Sequence, residues 1–348
     1  MAASTTQLSD LVYGVEYTGY SMEKALELNA FVQSGVAVQE PELDALAAGQ
    51  GGTYDMPFFK QLGNVAPNIS TDDDSVNASR QKITTGVEQA RLHMYNQVWS
   101  SADLNKALIA TDPLMAIADQ TAHYWATWSQ TMIIQSALGI LADNIANDSG
   151  DMLFNAATIT DANGGAAARK LQNDVLIDAA QTMGDHKNNL VAVAMHSAVH
   201  SNLQKQGALQ DIHNMETGAL LFQTFMGKRV IVDDSMPVLT ESINDGGGAS
   251  NKTVYVSILF GAGAIRLGTG APKVATETQR VPLGGNGGGI EDLIERRHPI
   301  VHPTGFKWLN ASVSGKSATS AELATAANWD RVKQRKNIPL AFIKSRLS

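Results

Sequence analysis

Residues 112–147 constrain the fold of this chain more than any other stretch. Apolar residues recur along it at the three- and four-residue spacing of one helix face. They are Leu114, Ile117, Ala118, Trp125, Trp128, Met132, Ile133, Ala137, Leu138, Leu141 and Ile145. Asp112 is suited to cap the helix, Pro113 to its first position, and Gly150 to the left-handed residue beyond its end. The pattern predicts a single helix about 50 Å long, which is more than a compact domain usually needs.

Polar side chains decide what kind of helix this is. Gln120, His123, Thr127, Gln130 and Gln135 interrupt every apolar run. A membrane span needs roughly 20 consecutive apolar residues, so we expect no membrane partner. Two interpretations stay open: an ordinary core helix, or a beam that runs across an elongated subunit.

Composition narrows the class of protein. The chain has 348 residues, enough for one large or two ordinary domains. Only 17% are charged, below the usual quarter, so we expect other subunits to cover much of the surface and the isolated monomer not to be stably compact. A neutral soluble enzyme is the alternative. A net charge of −8 argues against a general DNA-binding protein, and the lack of cysteine excludes disulfides and thiolate sites.

The first third of the chain divides into two patterns. Residues 1–52 form an N-terminal arm that we expect to lie on other surfaces, with a short helix from Ser21 to Phe31. Residues 53–98 predict an extended hairpin loop, with strands on both sides of a polar, turn-rich middle at 68–80. In its second strand, Ala90, Leu92, Met94 and Val98 alternate onto one face. Residues 101–110 predict a short helix or turn.

The rest mixes helices and strands. A helical stripe (Leu171, Val175, Leu176, Ala179 and Met183) and strands at 190–195, 228–232, 253–260 and 264–267 give residues 161–270 an α/β pattern. There Ser197 is predicted to cap a helix ending near Gly207. Later strands are predicted at 273–281, 300–301 and 306–313, with a glycine-rich loop at 284–289. Ser320 is predicted to cap a final helix over 321–333, and 338–347 is predicted to be extended.

No catalytic motif emerges. The glycine run at 284–289 does not match the dinucleotide fingerprint, and residues 315–317 lack the glycine that opens a phosphate loop. The pairs His196/His200 and His298/His302 lack the further residues of known metal motifs, so we interpret them as ordinary polar side chains. The sequence predicts that the chain is not an enzyme and has no catalytic, cofactor or metal site.

Three stretches, taken in order, carry a resemblance to a known family. They are residues 52–58 (GTYDMPF), 227–237 (GKRVIVDDSMP) and 296–306 (RRHPIVHPTGF). With the hairpin, long helix and α/β segment between them, the chain resembles the major capsid proteins of tailed bacteriophages. The resemblance implies an α+β Hong Kong 97-type capsid fold. Its parts would be an N-terminal arm (1–52), an extended hairpin loop (53–98), a peripheral domain (99–160) with a long spine helix (112–147), an axial α/β domain (161–270), and a return to the peripheral domain with a C-terminal segment (271–348).

The same resemblance implies a structural role. Subunits would form hexamers and pentamers of an icosahedral phage head in the virion, assembled in the host bacterial cytoplasm around double-stranded DNA that is not bound tightly or sequence-specifically. Residues 1–52 lack a long charged helical repeat, so the scaffolding protein would be separate. A portal and a decoration protein are further candidate partners. The alternatives are an encapsulin-type nanocompartment shell protein and an oligomeric α/β enzyme.

The candidate interface residues are charged. Asp72, Asp73 and Asp74 form the hairpin tip, and Arg80 and Lys82 follow it. In the family, this loop lies across an adjacent subunit, so the tip acids would meet a basic surface, either Arg296 and Arg297 or the C-terminal cluster of Arg331, Lys333, Arg335 and Lys336. The sequence does not choose between them, and a solvated loop end is the alternative. We expect the C-terminal cluster, which extends to Lys344 and Arg346, to pair with acids of a neighbour rather than with DNA.

Overall fold

The chain is described from a computed structural model, which covers residues 30–47, 52–63, 65–105, 113–160, 165–214, 218, 220–244 and 248–347. The predicted cap Asp112 and residues 21–29 and 106–110 of the predicted short helices lie outside these ranges. The described helices are α1 (Ala30–Gln33), α2 (Pro41–Ala47), α3 (Pro113–Asn147), α4 (Gly165–Ala168), α5 (Asn173–Gln181), α6 (Ser197–Lys205) and α7 (Ser320–Leu323). The described strands are β1 (Ala37–Gln39), β2 (Thr53–Phe59), β3 (Thr85–Arg91), β4 (Tyr95–Ala102), β5 (Leu153–Asn155), β6 (Leu190–Met195), β7 (Leu209–His213), β8 (Leu220–Phe225), β9 (Lys228–Val232), β10 (Val238–Asn244), β11 (Ala249–Gly261), β12 (Ile265–Gly270), β13 (Thr276–Val281), β14 (Ile290–Pro303), β15 (Phe306–Trp308), β16 (Trp329–Arg331) and β17 (Leu340–Ser345).

Three sheets organise these strands. A five-stranded sheet has the order β1-β12-β14-β13, with β4 also paired to β14. An eight-stranded sheet has the order β5-β17-β11-β6-β9-β8-β7, with β10 paired to β11. A four-stranded sheet has the order β16-β15-β3-β2. Non-local pairing therefore ties distant parts of the chain together in every sheet.

The predicted long helix is confirmed as α3. Gly150 has a φ of +70° after its end, and its N–H donates to the carbonyl of Asn144 at 2.9 Å. Helix α3 contacts β14, β5 and β16, one strand from each sheet, which favours the interpretation as a beam. None of the described helices is long and apolar enough to cross a membrane.

Aromatic side chains attach the beam to the sheets. The Trp128 ring of α3 lies 5.5 Å from that of Tyr95, which stacks on His93 at 5.9 Å. His93 meets Trp308 edge-on at 5.6 Å, and Trp308 meets Trp329 at 4.8 Å. Such pairs contribute about 0.5–1.5 kcal/mol each beyond their buried area. The row runs from α3 through β4 to β15 and β16.

The predicted single strand over 90–98 is wrong. Strand β3 ends at Arg91, and β4 begins at Tyr95 in another sheet. Between them the N–H of His93 donates to the carbonyl of Pro299 at 3.0 Å and that of Met94 to Ser317 Oγ at 2.7 Å. These bonds break the alternation, so His93 is buried while Met94 and Val98 are exposed.

The predicted final helix is also mostly wrong. Thr319, not Ser320, caps α7 in a capping box with Glu322, and the helix ends at Leu323. The chain then turns into β16 because Trp329 is buried against Trp308 and donates to the carbonyl of Leu323 at 2.8 Å. The predicted cap of α6 is likewise displaced by one residue.

At α6 the predicted cap Ser197 is the first helical residue, and His196 is the cap. The N–H of Ala198 donates to His196 Nδ1 at 3.1 Å, so the imidazole nitrogen does what a serine hydroxyl would do.

Sheet membership departs from the predicted segments at both ends. Residues 30–47, predicted to lie on other surfaces, pack on their own subunit: β1 runs parallel to β12, and Phe31 is buried against Phe260. Strand β12, predicted with the axial segment, belongs to the five-stranded sheet. Strand β17 pairs with β11 and β5 instead of returning to the strands of 271–331, because its side chains are all buried and need a central position.

Candidate functional site

The candidate site is the hairpin of β2 and β3 with the loop between them. The two strands pair antiparallel from Thr53 opposite Arg91 to Phe59 opposite Thr85, and the N–H of Lys60 extends the ladder to the carbonyl of Thr84 at 2.8 Å. We call residues 60–84 the extended loop. Every described residue of this loop is exposed. The predicted hairpin is thus present, with seven-residue strands and a long projecting end.

Large apolar side chains stand in solvent along this projection. Ile69 is 93% exposed and Phe59 71%, and four more are exposed: Leu62, Val65, Val76 and Ile83. Single exposed apolar residues are ordinary, but six on one projection of the chain indicate a surface that other proteins cover. The charges of this loop were predicted from the sequence to matter, but its apolar side chains were not.

The predicted acidic tip is an ordered turn. The N–H and hydroxyl of Ser75 donate to Asp73 Oδ1 at 2.9 and 2.6 Å, and these bonds lower the pKa of Asp73. Asn68 and Ser79 bond across the loop, with the Ser79 hydroxyl donating to Asn68 Oδ1 at 2.9 Å. Asp72, Asp74, Arg80 and Lys82 are all exposed. The turn therefore holds the Asp73 carboxylate against Ser75, and all three acids lie on the exposed surface of the loop.

The first predicted basic partner surface is partly engaged within the subunit. Arg296 pairs with Glu277 at 2.9 Å. Arg297 lies 3.7 Å from Glu295 and 6.0 Å from the centre of a Trp125 ring, yet its side chain is 51% exposed. Arg297 is thus the more accessible of the two.

The second predicted basic surface is dispersed. Its residues pair with acids or carbonyls of their own chain: Arg331 with Asp148 and Asp151, Lys333 with Glu88, Arg335 with the carbonyl of Ile338, Lys336 with Asp185, and Lys344 with Glu241. Arg346 is buried. The prediction that these residues meet a neighbour's acids stays a prediction, and these intrachain pairs leave fewer of them accessible for it. Only Lys336, 58% exposed, stays as accessible as Arg297.

Glu88, at the base of the hairpin, is a site residue that the sequence analysis missed. It is 1% exposed, and its carboxylate meets Arg266, Lys333 and, at 3.1 Å, Nε2 of His302. Burial opposes its ionisation, but the bonds from His302 and Lys333 and the charge of Arg266 outweigh this and lower the pKa of Glu88 to about 2. Burial also lowers the pKa of His302. The two cations and His302 thus favour the ionised form of the Glu88 carboxyl.

One sequence signal could have revealed Glu88. It shares the parity of Ala90 and Leu92, the face predicted to be buried, and a charge on a buried face needs partners.

Comparisons with known proteins agree with this architecture. A family model described as "Gp13-like: Major capsid protein 13-like" matches residues 50–279. The chain is 36% identical over 344 residues to the major capsid protein of Bacillus phage SPP1, covering 98% of each chain.

Solved structures give the same fold at low identity. The capsid of Ralstonia phage GP4 matches with a TM-score of 0.59 and 11% identity, covering 100% of this chain and 99% of that one. The capsid of cyanophage Pam1 matches with a TM-score of 0.56 and 9% identity over 100% of both chains. At such identity these two structures bear on the fold alone.

Proposed function

The chain belongs to the Gp13-like family of major capsid proteins, and from this premise we propose that it builds its shell from hexamers and pentamers in which the extended loop lies across a neighbouring subunit. It is a major capsid protein of a tailed phage with the Hong Kong 97-type α+β fold, a structural component of the virion and not an enzyme.

One observation carries the proposal about the loop. Six large apolar side chains, from Phe59 to Ile83, stand exposed on a projection whose own subunit does not cover them. Burial of apolar surface is the main favourable contribution to protein association, so a second subunit is the natural cover. The acids of the tip would orient the loop on the neighbouring subunit. Arg297 and Lys336 are the accessible cations that we propose they meet.

Finer partners and divisions follow as part of this proposal. The subunit takes a separate scaffolding protein, a portal and a decoration protein, and assembles in the host cytoplasm. Helix α3 and the five-stranded sheet form the peripheral domain, and the eight-stranded sheet forms the axial domain. Packaged double-stranded DNA is held without tight binding. Support comes from the net charge of −8 and from Arg331, Lys333, Lys336 and Lys344, whose charges are offset within the chain.

Electron microscopy of the purified chain tests the proposal. We expect closed shells whose capsomers show sixfold and fivefold symmetry. Small oligomers alone, under conditions where the protein is folded, would contradict it. Shells with clear density for a neighbour's loop on Arg297 or Lys336 would identify the partner surface.

A further inference from the structure

We infer that Glu88, Arg266 and Lys333 form a clamp that fixes the direction of the extended loop relative to the rest of the subunit. We call the described residues outside β2, β3 and the extended loop the body. The inference rests on the proposed function in one respect: a loop that must reach a neighbour has to leave its own subunit at a defined angle. We use "the clamp" for these three residues.

Each cation of the clamp touches both strands of the hairpin. Arg266 pairs with Glu88 on β3 and lies 3.8 Å from the sulfur of Met56 on β2. Lys333 also pairs with Glu88, and its Nζ lies 5.0 Å from the centre of the Phe58 ring on β2. Met56 is directly opposite Glu88 in the ladder. Each of the two cations therefore contacts β2 and β3 together.

The cations come from separate parts of the body. Arg266 belongs to β12 of the five-stranded sheet and is also 3.5 Å from Glu40, which precedes α2. Lys333 follows β16 of the four-stranded sheet. His302, on β14, adds its bond to the same carboxylate. Rotation of the hairpin would break all these contacts together and leave a buried carboxylate without partners, which is costly.

Backbone pairing holds the hairpin to other strands only near the end of β3. Gln89 of β3 pairs with Lys307 of β15, and Leu92, directly after β3, bridges to Ile300 of β14. Strand β2 is the edge strand of its sheet. Side chains that contact both strands therefore add restraint that the backbone pairing of β3 does not give to β2.

A glycine shapes the clamp. The Phe58 ring lies over Gly86, where an added Cβ would come within 2.6 Å of a ring carbon. The missing side chain leaves room for the tip of the ring, and Lys333 Nζ lies 5.0 Å from the ring centre. A cation over an aromatic face is stabilised by the ring's negative charge distribution.

The absence of cysteine gives a direct test. Cysteines introduced as Ser70→Cys in the loop and Ala311→Cys after β15 can be spin-labelled as the only pair in the chain. The distance distribution between them is then measured by pulsed electron paramagnetic resonance in dilute, unassembled subunits. We expect Glu88→Gln to broaden this distribution relative to the parent.

The matched control is Asp55→Asn on β2. Asp55 is an exposed acid of the same hairpin and accepts a bond from Gln89 at 2.7 Å, so its loss should leave the distribution unchanged. If Glu88→Gln lowers the melting temperature but the distribution keeps the parent width, the clamp only stabilises the subunit and the inference fails.

A second variant covers the case in which Glu88→Gln does not fold. Lys333→Met keeps an aliphatic stem on Phe58 and removes the charge, so we expect a smaller broadening in the same direction. An unchanged width in this variant overturns the inference. Shell formation by the unsubstituted chain is scored separately by microscopy: its failure would count against the proposed function and leave the distance result standing.

Discussion

Gly139 lets the long helix approach the C-terminal part of the chain closely. A Cβ placed there would overlap the carbonyl oxygen of Leu323 and the indole nitrogen of Trp329, which are bonded to each other at 2.8 Å. Gly139→Ala must therefore break this bond or push α7 away. Alanine gains about 1 kcal/mol over glycine inside a helix, but the overlap should outweigh this gain. We expect the free energy of unfolding to fall by a net of about 1–3 kcal/mol. Chemical denaturation measures it.

The control for this substitution is Gly63→Ala in the extended loop. The nearest atom to a Cβ there is Cγ2 of Val65 at 3.7 Å, an ordinary contact, so stability should not change. Equal stability of the two variants would mean that α3 is packed less tightly than described.

The ionisation of Glu88 predicts that the free energy of unfolding depends on pH. Its pKa falls from an ordinary 4.5 to about 2 in the folded chain, so its stabilisation is present above pH 4.5 and lost as the pH falls toward 2. The difference in unfolding free energy between the parent and Glu88→Gln should shrink by on the order of 3 kcal/mol across that window. Urea titrations between pH 7 and 2 measure the difference. A constant difference would show that the charge of Glu88 does not account for its effect.

At the scale of elements, the loop tip can be tested without disturbing its turn. In Asp72→Asn/Asp73→Asn/Asp74→Asn, the side-chain amide oxygen at position 73 can still accept from Ser75, so the subunit fold should persist. Losing three charges should lower shell yield or shell melting temperature, because each exposed ion pair contributes little by itself but recurs throughout the shell. High salt should reduce the difference from wild type. Microscopy and heating at low and high salt measure both.

The matched control removes charge from the body instead. Asp174 and Asp178 are exposed on α5, and Asp174→Asn/Asp178→Asn should assemble normally. If the tip variant also forms shells that melt like wild type in both buffers, the tip is a solvated turn.

Elements whose signals are local could be predicted from the sequence. Helix α3 carries Pro113 at its start, Gly150 past its end and many apolar residues between them, so no distant contact was needed to identify it. The final helix failed because the burial of Trp329 depends on Trp308, which belongs to another strand. The break at His93 likewise depends on Pro299 and Ser317.

The residues of the candidate site likewise separate into those with a local sequence signal and those that depend on distant contacts. The tip acids are adjacent in sequence, so their charge could be recognised directly. Glu88 is 178 residues from Arg266 and 214 from His302, and no pattern along the chain joins them. The exposed apolar residues of the loop were visible in the sequence, but only the fold shows that their own subunit leaves them uncovered.

At the scale of the whole molecule, the body and the extended loop differ in what they need from neighbours. The body buries two large apolar clusters, one around α3 and the other between the eight-stranded sheet and helices α5 and α6. Because the body buries these clusters, the expectation that the isolated monomer is not stably compact applies to the extended loop alone. We expect the dilute body to unfold cooperatively while the loop stays open to solvent.

Proteolysis distinguishes these two parts before and after assembly. Lys60, Arg80 and Lys82 are exposed trypsin sites within the loop. In dilute subunits trypsin should cut there first, while the packed body resists, because cleavage requires locally open chain. In assembled shells the same sites should be protected, since a neighbouring subunit would cover the apolar side chains between them. Mass spectrometry of the fragments over time measures both rates.

The variant Lys60→Gln/Arg80→Gln/Lys82→Gln serves as the control, because dilute subunits without these sites should lose the early fragments and so assign them to the loop. Protection must also disappear when shells are dissociated by dilution, as association depends on concentration. Equal cleavage of the loop in shells and in dilute subunits would mean that no neighbour covers it. The apolar side chains from Phe59 to Ile83 would then need another partner, and the loop would not be the element that joins subunits.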